Sequence, residues 1–232
     1  MLGVIVNVVA IAIGGIIGVL FKKILKEKLT SNVMVALGVV TFIIGIKEAL
    51  KYEKTLVFVL SIAIGTLIGN IIDIDKYVNR LGKFLKKTFV RNDKGDSRFA
   101  EAFASTSILF AVGAMSVLGS INSGLKNDHS ILFLKATLDG AASIMYASTL
   151  GIGVVFSALT ILIFQGSIAL LAGNLTLLLE DPSMMNEFSS VGNLLVMIIG
   201  LNLMGVTKIK VANMLPAIVV VIIIYKLTIN IL

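Results

Sequence analysis

The sequence predicts an all-α, polytopic membrane protein: one domain, residues 1–232, of about eight transmembrane helices. Three observations predict it. Of the 232 residues, 57% are hydrophobic and 14% charged, with a mean hydropathy of +1.03, whereas a soluble domain is about 25% charged. Several apolar runs reach 18 residues or more, long enough to cross a hydrocarbon core about 30 Å thick. Lys and Arg gather in short segments between those runs, the pattern of loops held on one side of a bilayer.

The spans are expected at 2–21, 32–50, 55–74, 100–120, 130–147, 149–172, 189–206 and 211–230. The first begins at Leu2 with no basic segment before it, and its positive charges follow it. That order suits an anchor with its N-terminus outside rather than a cleaved signal. The second ends on Lys47 and Glu48, which can snorkel to the interface. Asp73 and Asp75 sit at the inner boundary of the third, and the basic loop 76–98 follows. In that loop Tyr77, Val78, Leu81, Phe84 and Leu85 recur at helical spacing, which predicts an amphipathic helix on the membrane surface. Residues 92–97 then read as a turn. Glu101 opens the fourth span, where a carboxylate suits a helix N-terminus. The fifth, 130–147, is short and polar, and a re-entrant path would flip everything after it.

Charge sets the expected orientation. Segments 22–28, 76–98 and 207–210 hold 4, 8 and 2 Lys or Arg residues, and eight spans put all three on one side. That gives 14 against the 5 of Lys47, Lys51, Lys54, Lys126 and Lys226, so both termini are expected outside the plasma membrane. The acidic residues Glu180, Asp181 and Glu187 fall on the outer side. The net charge of +7 belongs to this asymmetry, and no nucleic-acid partner is expected.

An internal repeat accompanies the spans. Residues 39–47, with Gly45, are similar to 194–202, with Gly200, and residues 13–18 to 164–169. Spans 1–3 then correspond to spans 6–8, as repeat units 1–75 and 149–232. Separation by five spans makes the copies antiparallel, the inverted plan of secondary transporters. Chance likeness among apolar, glycine-containing helices is the alternative.

The candidate site begins with Asp139 and Gly140, a carboxylate and a glycine inside an apolar run. A charge in hydrocarbon costs about 3 kcal/mol or more, so it needs a partner, a cavity or a task. Lys135 stands four residues earlier, on the same helix face, and can neutralise Asp139 as a structural bridge. The alternative is a proton or cation site at Asp139, with Gln165, Asn193 and Asn202 as polar groups in later spans. Span 4 adds Gly113, Ser116, Gly119, Ser120, Asn122, Ser123 and Gly124. Their spacing fits close helix packing. It fits equally an unwound outer end whose Ser, Asn and free carbonyls coordinate a solute. Broken backbone is therefore expected in 119–124 or 138–141. Asn7, Asn70 and Asn213 are read as caps or cross-links between helices, and His129 as solvent-exposed.

The stretch Phe110-Ala-Val-Gly113-Ala-Met115 through Gly124-Leu125, with Lys135, Asp139-Gly140 and Leu150-Gly-Ile-Gly-Val to Ser157, resembles the motifs of domain of unknown function family 554. The resemblance extends over essentially the whole chain and implies a prokaryotic integral membrane protein, with transport the customary suggestion. Ala114 stands where proline is common in that family.

Several chemistries are excluded or disfavoured. Without cysteine there are no disulfides, thiolate metal sites or cysteine nucleophiles. No His, Asp or Glu cluster has metal-ligand spacing, and no phosphate loop or Gly-x-Ser-x-Gly turn occurs. Neither an enzyme nor a cofactor is expected. The reading is a secondary transporter of a small polar solute or ion, coupled to protons or sodium and working as a homodimer in the lipid bilayer. Broken helices of spans 4 and 5 would line its site, formed by Asp139, Gly140, Lys135, Ser116, Ser120, Asn122, Gln165 and Asn202. A passive channel, or a scaffold subunit without transport, is the alternative.

Overall fold

The computed structural model describes residues 1–22, 27–89, 99–173 and 181–231, and every regular element among them is helical. In order these are α1 (Leu2–Lys22), α2 (Glu27–Ala49), α3 (Thr55–Ile72), α4 (Ile74–Phe89), α5 (Phe99–Ala111), α6 (Ala114–Leu125), α7 (Ser130–Leu150), α8 (Gly153–Leu170) and α9 (Pro182–Leu203). A 3-10 turn, Val211–Met214, leads into α10 (Pro216–Ile231). The expected turn at 92–97 lies outside the described residues.

Six segments are long and apolar enough to cross a membrane: α1, residues 31–49 of α2, α3, α8, α9 and residues 211–228. The pair α5 and α6, bent by 62°, makes a seventh when taken as one span. Helix α7 is not among these; its 21 residues make it about 31 Å long, a sufficient length for an eighth crossing although Lys135 and Asp139 lower its apolarity. It is unbroken from Ser130 to Leu150, so the re-entrant alternative for 130–147 does not apply.

Inside a bilayer the hydrophobic effect does not pull helices together, and close backbone contact at small residues takes its place. A Cβ on Gly14 would lie 2.3 Å from the carbonyl oxygen of Gly140, and one on Gly18 2.3 Å from that of Ile144. With Gly3 against Leu132, the register shows α1 and α7 running parallel. Gly38 meets Met204 and Gly45 meets Met197, so α2 and α9 are antiparallel. Gly65 against Ala217 and Gly69 against Asn213 make α3 and the 3-10 turn with α10 antiparallel. Phe99 meets Gly153, and Ser107 bonds Thr160 at 3.0 Å, so α5 and α8 are parallel. A chain that crosses eight times in alternation, with α5–α6 as one crossing, requires this sense in each of the four pairings.

The breaks differ from expectation. Residues 119–124 lie within α6 and 138–141 within α7, and both stretches are regular helix. Gly119 packs on Leu132, Gly124 on the carbonyl of Ala169 and Gly140 on Ala10. These glycines serve close approach between helices, which leaves their own hydrogen bonding intact. The interruption lies earlier, at Val112 and Gly113, between α5 and α6. Gly113 has φ +108° with nothing within 4 Å of a would-be Cβ, so the backbone conformation itself calls for glycine there. Span 4 is broken; span 5 is not.

Two side chains counted as outer polar groups sit inside the fold. Glu187 is fully buried, and its Oε1 accepts the N–H groups of Glu53 at 2.8 Å and Lys54 at 2.6 Å. It thereby caps α3, whose own N-cap Lys54 supplies no side-chain acceptor. Glu53 in turn accepts from Ser183 and Asn186, which hold its carboxyl below the usual range. His129 is half-buried, with Nδ1 2.9 Å from Ser123 Oγ, rather than solvent-exposed.

Two outcomes follow from this packing. Because the chain has no cysteine, single cysteines at Lys83 and Lys208 should react with an impermeant thiol reagent only in inside-out vesicles, and those at Lys126 and Ser183 only in intact cells. Equal labelling of Lys126 and Lys208 from one side would overturn the eight-crossing path. A Cβ at Gly65 meets the Ala217 backbone at 2.2 Å. Gly65→Val should therefore lower the melting temperature in detergent, with an overpacking cost of about 1–3 kcal/mol.

Candidate functional site: a buried polar network across four helices

On α1, Gly3, Asn7, Gly14 and Gly18 fall on the buried side, at offsets of one or two helical turns that keep them on one face. The three glycines bring α7 close, and Asn7, fully buried, faces the same neighbour. Its Nδ2 donates to Asp139 Oδ2 at 3.1 Å and to Gln165 Oε1 at 3.2 Å. Lys135 Nζ lies 3.0 Å from each oxygen of Asp139, one turn along α7. Gln165, on α8, donates from Nε2 to Ser116 Oγ at 2.9 Å. Ser120 Oγ donates to the Ser116 carbonyl at 2.6 Å. One chain of hydrogen bonds thus joins α7, α1, α8 and α6.

Burial sets the electrostatics. Asn7, Ser116, Ser120 and Gln165 have no exposed surface, and the Lys135 and Asp139 side chains retain 9% each. The pair is neutral as a unit, which is the condition under which charges persist in a low-dielectric interior. Two polar atoms beside it remain unused. Asn7 Oδ1 and Ser143 Oγ are buried and have no hydrogen-bond partner. Ser143 stands one turn beyond Asp139 on α7 and packs on Gly14. Buried polar groups are nearly always satisfied, so two orphans next to a buried ion pair mark unused capacity for a ligand or a water molecule.

The eight candidate residues divide. Lys135, Asp139, Gln165, Ser116 and Ser120 belong to this network. Gly140 adjoins it as a packing residue against α1. Asn122 is half-buried near the end of α6, and its carbonyl accepts from Lys126 and Asp128. Asn202 lies elsewhere, at the C-terminal end of α9, where it fastens the following loop: its side chain bonds Thr207 at 2.6 Å and the Ile209 carbonyl at 2.8 Å. It lines a separate cavity of about 390 Å³ with Asp75, Asn79, Glu101 and Lys208. Asn7, read from sequence as a cap or cross-link, does cross-link α1 to α7 and α8, and so joins the candidate site. Its signal was present, because an Asn on a glycine stripe of an apolar helix must face protein. Ser143 carried the analogous signal, four residues after Asp139. Among the described residues no group of three or more His, Cys, Asp or Glu side chains could hold a metal ion.

The chain is 34% identical over 225 residues to the "Uncharacterized membrane protein YdfK" of Bacillus subtilis (strain 168), covering 95% of this chain and 93% of that one. It is 33% identical over 218 residues to the "Uncharacterized protein YqgA" of Escherichia coli (strain K12), covering 93% and 92%. No solved structure matches. The family described as protein of unknown function (DUF554) matches residues 2–226, and the chain therefore belongs to that family of membrane proteins.

Proposed function

We propose that the protein is a secondary transporter of a small polar solute, driven by protons or sodium, whose site is the network around Asp139. The observation that carries this reading is the pair of orphan polar atoms, Asn7 Oδ1 and Ser143 Oγ, beside a buried charge pair. Unpaired atoms occur elsewhere in the fold, Glu187 Oε2 among them; these two differ in standing next to a buried charge pair. The interrupted backbone at Val112 and Gly113 supports it, since Ser116 opens the helix that follows. So does a reciprocal contact: Gly45 packs on Met197, and Gly200 packs on Phe42, both 155 residues apart in their equivalents. Reciprocity of that kind suits inverted repeats that rock against each other about a fixed site. In this reading both termini lie outside the plasma membrane and the unit is a homodimer.

A scaffold without transport is the second reading, favoured by the regular helix through Gly119, Gly124 and Gly140 and by their packing contacts. Mutants separate the two. Asp139→Asn strands the buried Lys135 in either reading and should cost about 3–5 kcal/mol, with the melting temperature recovered in the double mutant Lys135→Met, Asp139→Asn. The transporter reading expects solute-driven proton or sodium flux in proteoliposomes of the unaltered protein and none in that stable double mutant; the scaffold reading expects no flux from either.

Ser143 gives an independent test. Its hydroxyl has no partner, so Ser143→Ala should leave stability unchanged or raise it, within about 1 kcal/mol. If the hydroxyl serves the solute, the same change should weaken flux. Unaltered flux with a lowered melting temperature would show that Ser143 is structural.

A further inference from the structure

Two cavities share a wall. The polar one, about 390 Å³, opens between α4, the start of α5 and the loop after α9, with Asp75, Glu101 and Lys208 at its mouth. The second, about 270 Å³, is almost wholly apolar, with Phe103, Val112, Phe164, Phe188, Leu215 and Ile218 among its lining. Ala104, Ile108 and Ala212 line both. On α9 the polar cavity touches Asn202 and the apolar one Phe188. Fourteen residues of helix separate them, about 21 Å, or some two-thirds of a hydrocarbon core of about 30 Å. A cavity lined with charged groups and, further along α9, an apolar one thus adjoin at Ala104, Ile108 and Ala212, and this groove has the polar-to-apolar order of an amphiphile. Val78 and Leu81 of α4 close its side.

The charges at the mouth narrow the class. Asp75, Glu101, Lys208 and Lys210 all line the polar cavity; Asp75 accepts from Asn79 at 2.8 Å, and Lys210 lies 3.6 Å from Asp73 at the surface. Among the described residues neither Glu101 nor Lys208 has an ion-pair partner, and both are exposed. Two lysines and two carboxylates thus line it, and a headgroup with both an ammonium and a phosphate matches both signs. We propose that the groove binds a phospholipid whose headgroup carries an ammonium, with one acyl chain in the apolar cavity and the headgroup in the polar one. Its leaflet is the inner one in the orientation proposed above. The transport reading is not required.

The test uses the full chain in nanodiscs of phosphatidylcholine-free, phosphatidylglycerol lipid, with phosphatidylethanolamine added in steps and the melting temperature followed. A ligand that binds only the folded state stabilises by mass action. The expected result is a saturable rise of several degrees, with phosphatidylethanolamine retained in native mass spectra. Glycerophosphoethanolamine, which lacks chains, should give no rise. Ala104→Trp, at the shared wall, should abolish the rise. Glu101→Gln and Lys208→Gln, at exposed positions that leave the fold intact, should each raise the half-saturating lipid fraction about fivefold, the scale of one exposed ionic contact. A rise unaffected by both exposed variants, or an equal rise with the chain-free headgroup, would overturn the proposal. So would a groove buried between two copies, read as a dimer that Ala104→Trp dissociates without any effect of lipid.

Discussion

The Lys135–Asp139 pair is the constraint around which the rest of the bundle is arranged. Two charges in the middle of a helix can lie in a membrane only as a neutral, hydrogen-bonded unit screened from lipid. Asn7 and its partners do this screening. The amide of Asn7 reaches both Asp139 and Gln165 because α1 lies in backbone contact with α7 along its length. That contact exists because Gly3, Gly14 and Gly18 offer no side chain in its way. The glycine stripe and the charge pair are thus parts of one device: the first makes the second tolerable.

Much of this was legible in sequence, for reasons that differ by residue. The crossing segments could be read because a hydrocarbon core imposes a minimum apolar length. Lys135 and Asp139 could be paired because a helix puts i and i+4 on one face. Other features depend on who the neighbour is, which no single span reveals. Gly119, Gly124 and Gly140 were plausible breaks by composition, yet each is taken by a contact on another helix, with Leu132, Ala169 and Ala10. Gly113, with its positive φ and open space where a Cβ would stand, carries the interruption instead. Glu187 reads as one more outer carboxylate until the start of α3 arrives at it with two unpaired N–H groups. Asn202 appeared to join Asp139 only because both are polar residues in apolar spans; tertiary structure sends it to the loop after α9.

The same packing rule organises α2 and α9. In each helix a glycine receives a larger residue of the other, Met197 over Gly45 and Phe42 over Gly200. The network at Asp139 involves α1, α6, α7 and α8 and none of α2 or α9. One connection between the two groups of helices is the buried hydrogen bond between the hydroxyls of Thr41 on α2 and Tyr146 on α7, two turns beyond Asp139. Motion of the α2–α9 pair would therefore be felt on the helix that carries the charge.

Neutrality also limits what such a site can load. With Lys135 in place, the pair already sums to zero, and Asn7, Gln165, Ser116 and Ser143 are uncharged. A proton or sodium ion added alone would leave one uncompensated charge in hydrocarbon, at a cost of about 3 kcal/mol or more. Ion coupling at Asp139 thus carries a condition: the added charge must be matched within the same step, by an anionic group arriving with it or by a proton leaving Lys135. Neutral orphans such as Asn7 Oδ1 and Ser143 Oγ can orient a solute but cannot meet that condition. The charge balance therefore has to be met by Lys135 or by the solute itself.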